Sequence, residues 1–265
     1  MPRIPCWQVD AFTDRPFAGN PAAVVWLESD ADPAWMQNVA AEMNLAETAF
    51  VRRLADGYSL RWFTPIVEVD LCGHATLAAA HALWTSGTVS EEPLRFHTRS
   101  GLLTCTRNGD LIELEFPATP PAVVPVDPAV LSALGVSGAE SFGRSRFDVL
   151  VQLSSAAELR SLQPDLRALA GVDARGVIVT AVSDDPRYDF ISRFFAPRCG
   201  VDEDPVTGSA HCALTPFWAA RLSQLSLTAF QASKRGGVLR VRLDGDRVIL
   251  GGNAVNIWEG QLVVG

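Results

Sequence analysis

The sequence lacks any concentration of positive charge, and this excludes one large class of partner. Acidic residues outnumber basic ones by 30 to 22, the net charge is −8, and the basic residues are scattered along the chain. Nucleic-acid binding needs a concentrated basic face. We therefore expect no nucleic-acid partner.

Regular cysteine spacing and an apolar leader are also missing. The five cysteines are odd in number and irregularly placed, at Cys6, Cys72, Cys105, Cys199 and Cys212. No C-x-x-C pair occurs, so neither a zinc site nor a redox motif is indicated. The N-terminus has no basic stretch followed by an apolar run, as a signal peptide would. We expect free thiols and a cytoplasmic location.

One long stretch, residues 71–90, lacks charged side chains and raises the question of a membrane span. Polar residues interrupt it, however: His74, Thr76, His81, Thr85 and Ser86. A helix that is apolar on every side can equally form the centre of a water-soluble fold. We expect a buried helix here and no membrane association.

An internal repeat is the strongest structural signal. Residues 61–65, Arg-Trp-Phe-Thr-Pro, recur 132 positions later as Arg-Phe-Phe-Ala-Pro at 193–197. Each copy is followed by an acidic segment and then by a nearly uncharged stretch that begins at Gly73 or Gly208. A repeat of this length predicts two similar structural units.

The periodicity of the two halves agrees with this interpretation. The first half predicts strands at 7–13, 22–27, 48–53, 58–64, 94–97, 102–107 and 111–116, with helices at 33–43 and from residue 73. The second half predicts strands at 147–153, 176–183, 188–196, 227–231, 238–243 and 248–251, with helices at 156–170 and 207–221. Five prolines between residues 117 and 128 indicate a hinge. Pro216 predicts a kink or an end in the second uncharged helix.

These elements predict an α+β protein with two pseudo-symmetric lobes, each a mixed β-sheet or barrel wrapped around a central helix. We expect an N-terminal lobe at 1–118 and a C-terminal lobe at 119–265. The final strand, predicted at 254–264, belongs either to its own lobe or to the first. Two such lobes would place a cleft between equivalent helix N-termini.

Each uncharged helix begins at a glycine, Gly73 or Gly208. A helix N-terminus carries unpaired N–H groups and a partial positive charge, and a glycine lets a ligand approach closely. Two such ends could bind a carboxylate. Alternatively, each glycine only relieves crowding where a helix meets a sheet.

Several motifs give a specific resemblance that runs from residue 7 to beyond residue 250. They are Gln8-Val9-Asp10-Ala11-Phe12, Phe17-Ala18-Gly19-Asn20-Pro21, Asn44-Leu45-Ala46-Glu47-Thr48, Cys72-Gly73-His74-Ala75-Thr76, Asp204-Pro205-Val206-Thr207-Gly208-Ser209-Ala210 and Gln231-Ala232-Ser233-Lys234-Arg235-Gly236-Gly237. Together and in this order they resemble the PhzF-like family of phenazine biosynthesis.

The resemblance implies a diaminopimelate-epimerase-like fold, a homodimer and an isomerase that needs no metal or organic cofactor. In the phenazine enzyme a glutamate takes a proton from one ring carbon and returns it to another. The matching residue here is Glu47, and His74, Asp204 and Ser209 match the other polar active-site positions. Backbone N–H groups near Gly73 and Gly208 would hold a substrate carboxylate.

The residues themselves suit that chemistry, although each has a simpler interpretation. A carboxylate that accepts and returns a proton works best in a desolvated setting, and the neighbours of Glu47 in sequence are apolar. Yet glutamates are mostly exposed, Asp204 could be a helix cap, Ser209 a first-turn hydroxyl and His74 a buried, hydrogen-bonded imidazole.

A racemase or epimerase is the first alternative. Enzymes of this fold that act on amino acids use two opposed cysteines, one at each helix start. Here the first such position is Cys72, but its repeat partner is Thr207, and Cys199 and Cys212 lie outside the matched position. A two-thiol mechanism therefore lacks one base.

Other enzyme classes have weaker support. A hydrolase triad of Ser209, His211 and Asp204 lacks the G-x-S-x-G elbow, and residues two apart on a helix point to different faces. A metal site of His74, His81 and His211 is also weak, because two helical turns separate the first two. A non-catalytic binder of small molecules remains open, and so does the identity of the substrate, because the role in phenazine synthesis is only an analogy.

Overall fold

The computed structural model describes residues 3–263, and the chain forms two compact units. Within the described residues, the first comprises 3–115 and 251–263, and the second 116–250. The last strand of the chain, Ala254–Val263, pairs antiparallel with the first strand, Arg3–Ala11. Residue 264, which the sequence assigned to that strand, lies outside the described residues.

The first unit is a mixed sheet around one central helix. Its elements are β1 (Arg3–Ala11), β2 (Asn20–Leu27), α1 (Pro33–Met43), β3 (Glu47–Leu54), β4 (Gly57–Phe63), β5 (Glu68–Val69), α2 (Gly73–Thr85), β6 (Leu94–Thr98), β7 (Gly101–Asn108), β8 (Leu111–Pro117) and β17 (Ala254–Val263). Strand β1 pairs antiparallel with β2, β2 parallel with β3, β3 antiparallel with β4 and β4 parallel with β6.

Helix α2 is the centre of this unit. It contacts β1, β2, β3 and β17, and its residues from His74 to Ala80 are all buried. Four of those seven are alanines, and small side chains let strands approach the helix on several sides. The prediction of a buried uncharged helix is confirmed, and no helix within residues 3–263 is long and apolar enough to cross a membrane.

The elements of the second unit follow the order of the first, with an additional short strand and helix at the start, two short helices in place of α1 and no strand in place of β5. They are β9 (Ala122–Val123), α3 (Pro128–Leu134), β10 (Ser141–Arg144), β11 (Asp148–Gln152), α4 (Ala156–Ser161), α5 (Leu166–Ala170), β12 (Gly176–Val182), β13 (Phe190–Phe195), α6 (Gly208–Leu222), β14 (Ser226–Gln231), β15 (Gly237–Asp244) and β16 (Arg247–Gly252). The pairings match those of the first unit, because β10 is antiparallel to β11, β11 parallel to β12, β12 antiparallel to β13 and β13 parallel to β14.

The predicted repeat is confirmed at the level of single side chains. Arg61 forms two hydrogen bonds with the carboxylate of Glu68, at 2.7 and 2.8 Å. Its counterpart Arg193 does the same with Glu203, at 2.7 and 2.9 Å. Both pairs are partly buried and join the strand before the central helix to the acidic segment that leads into it. The acidic segments therefore have a structural role in each unit.

Pro216 neither ends helix α6 nor leaves an unsatisfied carbonyl. The helix continues through the proline to Leu222. A proline cannot donate a hydrogen bond to the carbonyl four residues earlier, which here belongs to Cys212. The backbone N–H of Thr119 donates to that carbonyl instead, at 2.9 Å. Of the predicted kink or end, the end does not occur, because a neighbouring segment supplies the missing donor.

One other prediction is corrected at a proline, and a further proline starts a helix. The single helix expected at 156–170 is two short helices, α4 and α5, separated by a segment that contains Pro164. Helix α3 begins at the last proline of the predicted hinge, where Pro128 occupies the first turn and Asp127 caps the N-terminus. Proline is tolerated at that position because the first N–H groups of a helix have no intrahelical partner.

Candidate functional site

Glu47 and His74 form a close polar pair in the first unit. Glu47 Oε2 lies 3.0 Å from His74 Nε2, and the two side chains are 18% and 6% exposed. Both belong to the motifs that the sequence analysis assigned to the active site. The structure therefore brings these two predicted residues together in a nearly buried setting.

Asn20 fixes the orientation of the His74 ring. Its side-chain Nδ2 lies 3.1 Å from His74 Nδ1. An amide nitrogen can only donate, so Nδ1 accepts and the proton of the neutral ring is on Nε2. That N–H is directed at the Glu47 carboxylate. From sequence, Asn20 is only one member of a motif and has no predicted role.

The strand order explains why Asn20 and Glu47 meet. Each begins a strand, β2 or β3, and the two strands run parallel with Ala22 opposite Glu47. Parallel neighbours begin at the same edge of the sheet. Before β2, Gly19 has a φ of +63°, and a Cβ there would lie 2.1 Å from the carbonyl oxygen of Ala11. Only glycine fits this approach.

Cys72 is the third side chain of the group. Its Sγ lies 3.5 Å from Nδ1 and 4.0 Å from Nε2 of His74. Burial raises the pKa of the Cys72 thiol and the Glu47 carboxylate adds to this, while His74 and the backbone N–H of Ala75 oppose it. The pKa of the Cys72 thiol therefore lies above its ordinary value.

The same neighbours act on His74. Burial alone lowers the pKa of His74, but Cys72 and Glu47 outweigh it and raise the pKa well above its ordinary value. A second proton on Nδ1 would require the Asn20 amide to turn its oxygen toward the ring. The Nε2 proton is present in either state, so the hydrogen bond to Glu47 persists.

Gly73 begins helix α2 directly beside this group. The N-cap residue Cys72 has an extended backbone and no side-chain hydrogen bond that caps the helix. The Cys72 carbonyl accepts from the N–H of Thr76 at 3.3 Å and from its hydroxyl at 2.5 Å. The helix start predicted from sequence is confirmed to the residue.

In the second unit, Asp204 and Thr207 precede helix α6 in the same way. Thr207 is the N-cap, again extended and without a side-chain cap, and its hydroxyl donates to Asp204 Oδ2 at 2.5 Å. Gly208 is buried and begins the helix, and Ser209 follows half-buried in its first turn. Cys72 and Thr207 thus occupy equivalent places in the two units.

Gln231, at the end of β14, holds this segment in place. Its Oε1 accepts from the N–H of Thr207 at 2.8 Å, and its Nε2 donates to the Asp204 carbonyl at 2.7 Å. Two residues further on, the Ser233 hydroxyl donates to the Pro205 carbonyl at 2.8 Å. Gln231 has no function predicted from sequence, because a side-chain amide that binds backbone atoms leaves no recognisable pattern in the neighbouring residues.

His211 does not join a hydrolase triad. Its Nδ1 lies 2.8 Å from the Thr207 carbonyl oxygen, one turn back in the helix, and the side chain is completely buried. The hydroxyl of Thr207 donates to the Asp204 carboxylate. The weak triad hypothesis of Ser209, His211 and Asp204 therefore gains no support from these contacts.

One group of side chains has the composition of a metal site. Ligand atoms of Glu47, Cys72 and His74 all lie within 4.8 Å of one another. The histidine set considered from sequence is different, since His81 and His211 are not part of this group.

Comparisons with known proteins agree with the sequence motifs. The family model described as phenazine biosynthesis-like protein matches residues 9–260. An uncharacterised isomerase of Halalkalibacterium halodurans is 50% identical over the full length of both chains. A crystal structure of a phenazine biosynthesis PhzF family protein from Enterococcus faecalis is 43% identical, with a TM-score of 0.95 over 99% of this chain and 100% of that one.

A more distant structure supports the fold alone. A predicted epimerase from Pseudomonas aeruginosa is 22% identical and superimposes with a TM-score of 0.79 over the full length of both chains. The α+β fold predicted from sequence is therefore shared with epimerase-like proteins.

Proposed function

Because this chain belongs to the phenazine biosynthesis-like protein family, whose relatives include proteins named isomerases, we propose that it isomerises a small carboxylate-bearing substrate by moving a proton, without a cofactor. Glu47 is the single acid/base. The observation that carries this proposal is the 3.0 Å contact between Glu47 and His74, in a ring orientation set by Asn20.

The chemistry follows from the hydrogen bonds. The Nε2–H of His74 holds one carboxylate oxygen of Glu47 and leaves the other to take a proton from a substrate carbon. The C–H electron pair remains on the substrate and shifts the double bond, and Glu47 returns the proton to a second carbon. A buried and oriented base of this kind contributes about 10²- to 10⁴-fold to rate.

Binding of the substrate carboxylate is assigned to the helix starts. The first N–H groups of α2, at Gly73, lie next to the Glu47 pair, and a helix N-terminus favours an anion. Gly208 is the equivalent position of α6. We propose that Asp204 and Ser209 also contribute to substrate binding, as their motif implies.

The decisive variant is Glu47→Gln, which keeps the shape of the side chain but cannot carry a proton. Because the substrate is unidentified, ligands are first found by thermal shift against small cyclic and amino carboxylic acids, since a bound ligand raises the unfolding temperature. Proton transfer is then followed by NMR as deuterium incorporation from heavy water. We expect Glu47→Gln to lose about 10²- to 10⁴-fold in rate with little change in affinity.

The matched control is Glu42→Gln, an exposed glutamate on α1, which should leave exchange unchanged. If Glu47→Gln exchanges label as fast as wild type, Glu47 is not the base. If no bound ligand exchanges in the wild type either, the chain is a non-catalytic binder.

An epimerase with a cysteine base is the second candidate, favoured by the 3.5 Å approach of Cys72 to His74. It predicts the opposite pair of results, with turnover lost in Cys72→Ala and kept in Glu47→Gln. Under the glutamate proposal Cys72→Ala keeps most of its activity, because Thr207 offers no second thiol.

The family resemblance also leads us to propose a homodimer in the cytoplasm, with no nucleic-acid or membrane partner. Light scattering on the purified protein measures the mass directly, and a value near that of one chain would contradict the dimer.

A further inference from the structure

The group of Glu47, Cys72 and His74 offers three different ligand atoms to one point. Carboxylate Oε2 and imidazole Nε2 are 3.0 Å apart, and Nε2 and thiol Sγ are 4.0 Å apart. All three residues have ligand atoms within 4.8 Å of each other. We propose that this group is a Zn²⁺ site, and that a bound Zn²⁺ blocks the proposed isomerase. The inhibitory part rests on the proposed function, while the binding part does not.

Two of the separations are close to those of a tetrahedral zinc ion. With Zn–S of about 2.3 Å and Zn–N and Zn–O of about 2.1 Å, the ligand atoms should lie about 3.4 Å (N to O) and about 3.6 Å (N to S) apart. The observed separations, 3.0 and 4.0 Å, differ from these values by about 0.4 Å each. Sγ also lies 3.5 Å from Nδ1, nearer than to Nε2, so the Cys72 side chain must rotate away from Nδ1 before its sulfur can join an ion bound to Nε2.

The ligand types select the metal. A sulfur ligand and an imidazole favour Zn²⁺ over Mg²⁺ and Ca²⁺, which prefer oxygen. Cys72 gives up its thiol proton to solvent when the Zn–S bond forms. Thiolate and carboxylate then neutralise both charges of the ion, which matters in a group as buried as this one.

His74 must also change its tautomer. Nε2 must give up its proton to bind the metal, and the neutral ring then carries its proton on Nδ1. The Asn20 amide therefore turns so that its oxygen accepts from Nδ1. A second-sphere acceptor of this kind orients metal-binding histidines. Three protein ligands leave a fourth position for water. Glu47, once bound to zinc, is a much weaker base toward a substrate proton, because the cation withdraws negative charge from the carboxylate.

The test uses the full-length protein after treatment with a chelator, in the absence of substrate. Zn²⁺ is titrated in competition with a chromophoric zinc chelator, and Co²⁺ binding is followed by its sulfur-to-metal charge-transfer absorption. We expect one equivalent of tight binding, and at least tenfold weaker binding with loss of the charge-transfer band in Cys72→Ser. Mg²⁺ should not compete.

Cys199→Ser is the matched control, since Cys199 is the exposed free cysteine of the second unit, and it should bind Zn²⁺ as wild type does. Circular dichroism establishes that each variant is folded. The inference is overturned if wild type binds less than one equivalent, or if Cys72→Ser binds as tightly as wild type.

An activity arm separates this inference from the proposed function. Zn²⁺ should stop deuterium incorporation in wild type and not in Cys72→Ser. Binding through Cys72 in a protein without turnover would refute the isomerase and leave the metal site standing. Glu47-dependent turnover with no effect of Zn²⁺ would refute the inhibitory site alone.

Discussion

The buried His211 gives a pH dependence of stability that can be calculated from its surroundings. Nδ1 donates to the Thr207 carbonyl oxygen, and Nε2 has no hydrogen-bond partner within the part of the chain that the structure describes. Burial, only partly opposed by the Thr207 carbonyl, lowers the pKa of His211 to about 4. In an unfolded chain the pKa is about 6.5.

The direction in which stability changes with pH depends on which state, folded or unfolded, binds the proton more readily. Above pH 6.5 the ring is neutral in both states and the folded protein has its full stability. As the pH falls from 6.5 toward 4, only the unfolded chain gains a proton, so the free energy of unfolding decreases. At about 1.4 kcal/mol per pKa unit, the whole loss is about 3 kcal/mol, and about 2 kcal/mol of it has occurred by pH 5.

The variant His211→Asn removes this titration while its amide can still donate to the Thr207 carbonyl. Urea unfolding at pH 7 and pH 5 should show that the stability difference between wild type and variant shifts by about 2 kcal/mol in favour of the variant at the lower pH. The control is Thr215→Val, a buried substitution one turn along α6 that changes no titrating group. It should lower the free energy of unfolding by the same amount at both pH values. A difference that stays constant for His211→Asn would refute the reasoning.

Three further changes test other parts of the structure. Gly19→Ala should destabilise far more than Gly109→Ala in thermal unfolding, because both have positive φ but a Cβ has open space only at Gly109; the strain shared by both is about 1–2 kcal/mol. Arg193→Lys should cost about 1–3 kcal/mol, and more than Arg61→Lys, because Arg193 also donates to a backbone carbonyl at 2.9 Å; equal losses in urea unfolding would contradict this. Gln231→Leu should cost about 1–3 kcal/mol by leaving a buried N–H without an acceptor, and a loss under 0.5 kcal/mol in the same assay would show that this amide is not structural.

Element types were predictable from sequence where the pattern is local. Alternating strands and the two uncharged helices depend on periodicity and on glycines at their starts, and these predictions are confirmed. The behaviour of Pro216 was not predictable, because the donor that satisfies the freed Cys212 carbonyl comes from Thr119, far away in sequence. The split between α4 and α5 was available from Pro164 and was missed.

The candidate site was likewise only partly predictable from sequence. Motifs identified Glu47 and His74, but the residue that orients the ring, Asn20, could be found only from the parallel register that brings the starts of β2 and β3 together. Likewise Gln231 acts on Thr207 through backbone atoms across a distance of 24 residues. Side chains that recognise backbone carry no sequence pattern of their own.

The two units share a structural ion pair but differ in the residue at the N-cap of the central helix. The arginine–glutamate pair before the central helix is present in both, at Arg61 and at Arg193, because each unit must fix the same strand to the segment that enters its helix. The N-cap of that helix, by contrast, is Cys72 in one unit and Thr207 in the other. A pair of equivalent bases would need the same titratable group at both positions. A threonine hydroxyl that donates to a carboxylate cannot serve as one, which supports the proposal that proton transfer belongs to the first unit, where Glu47 is.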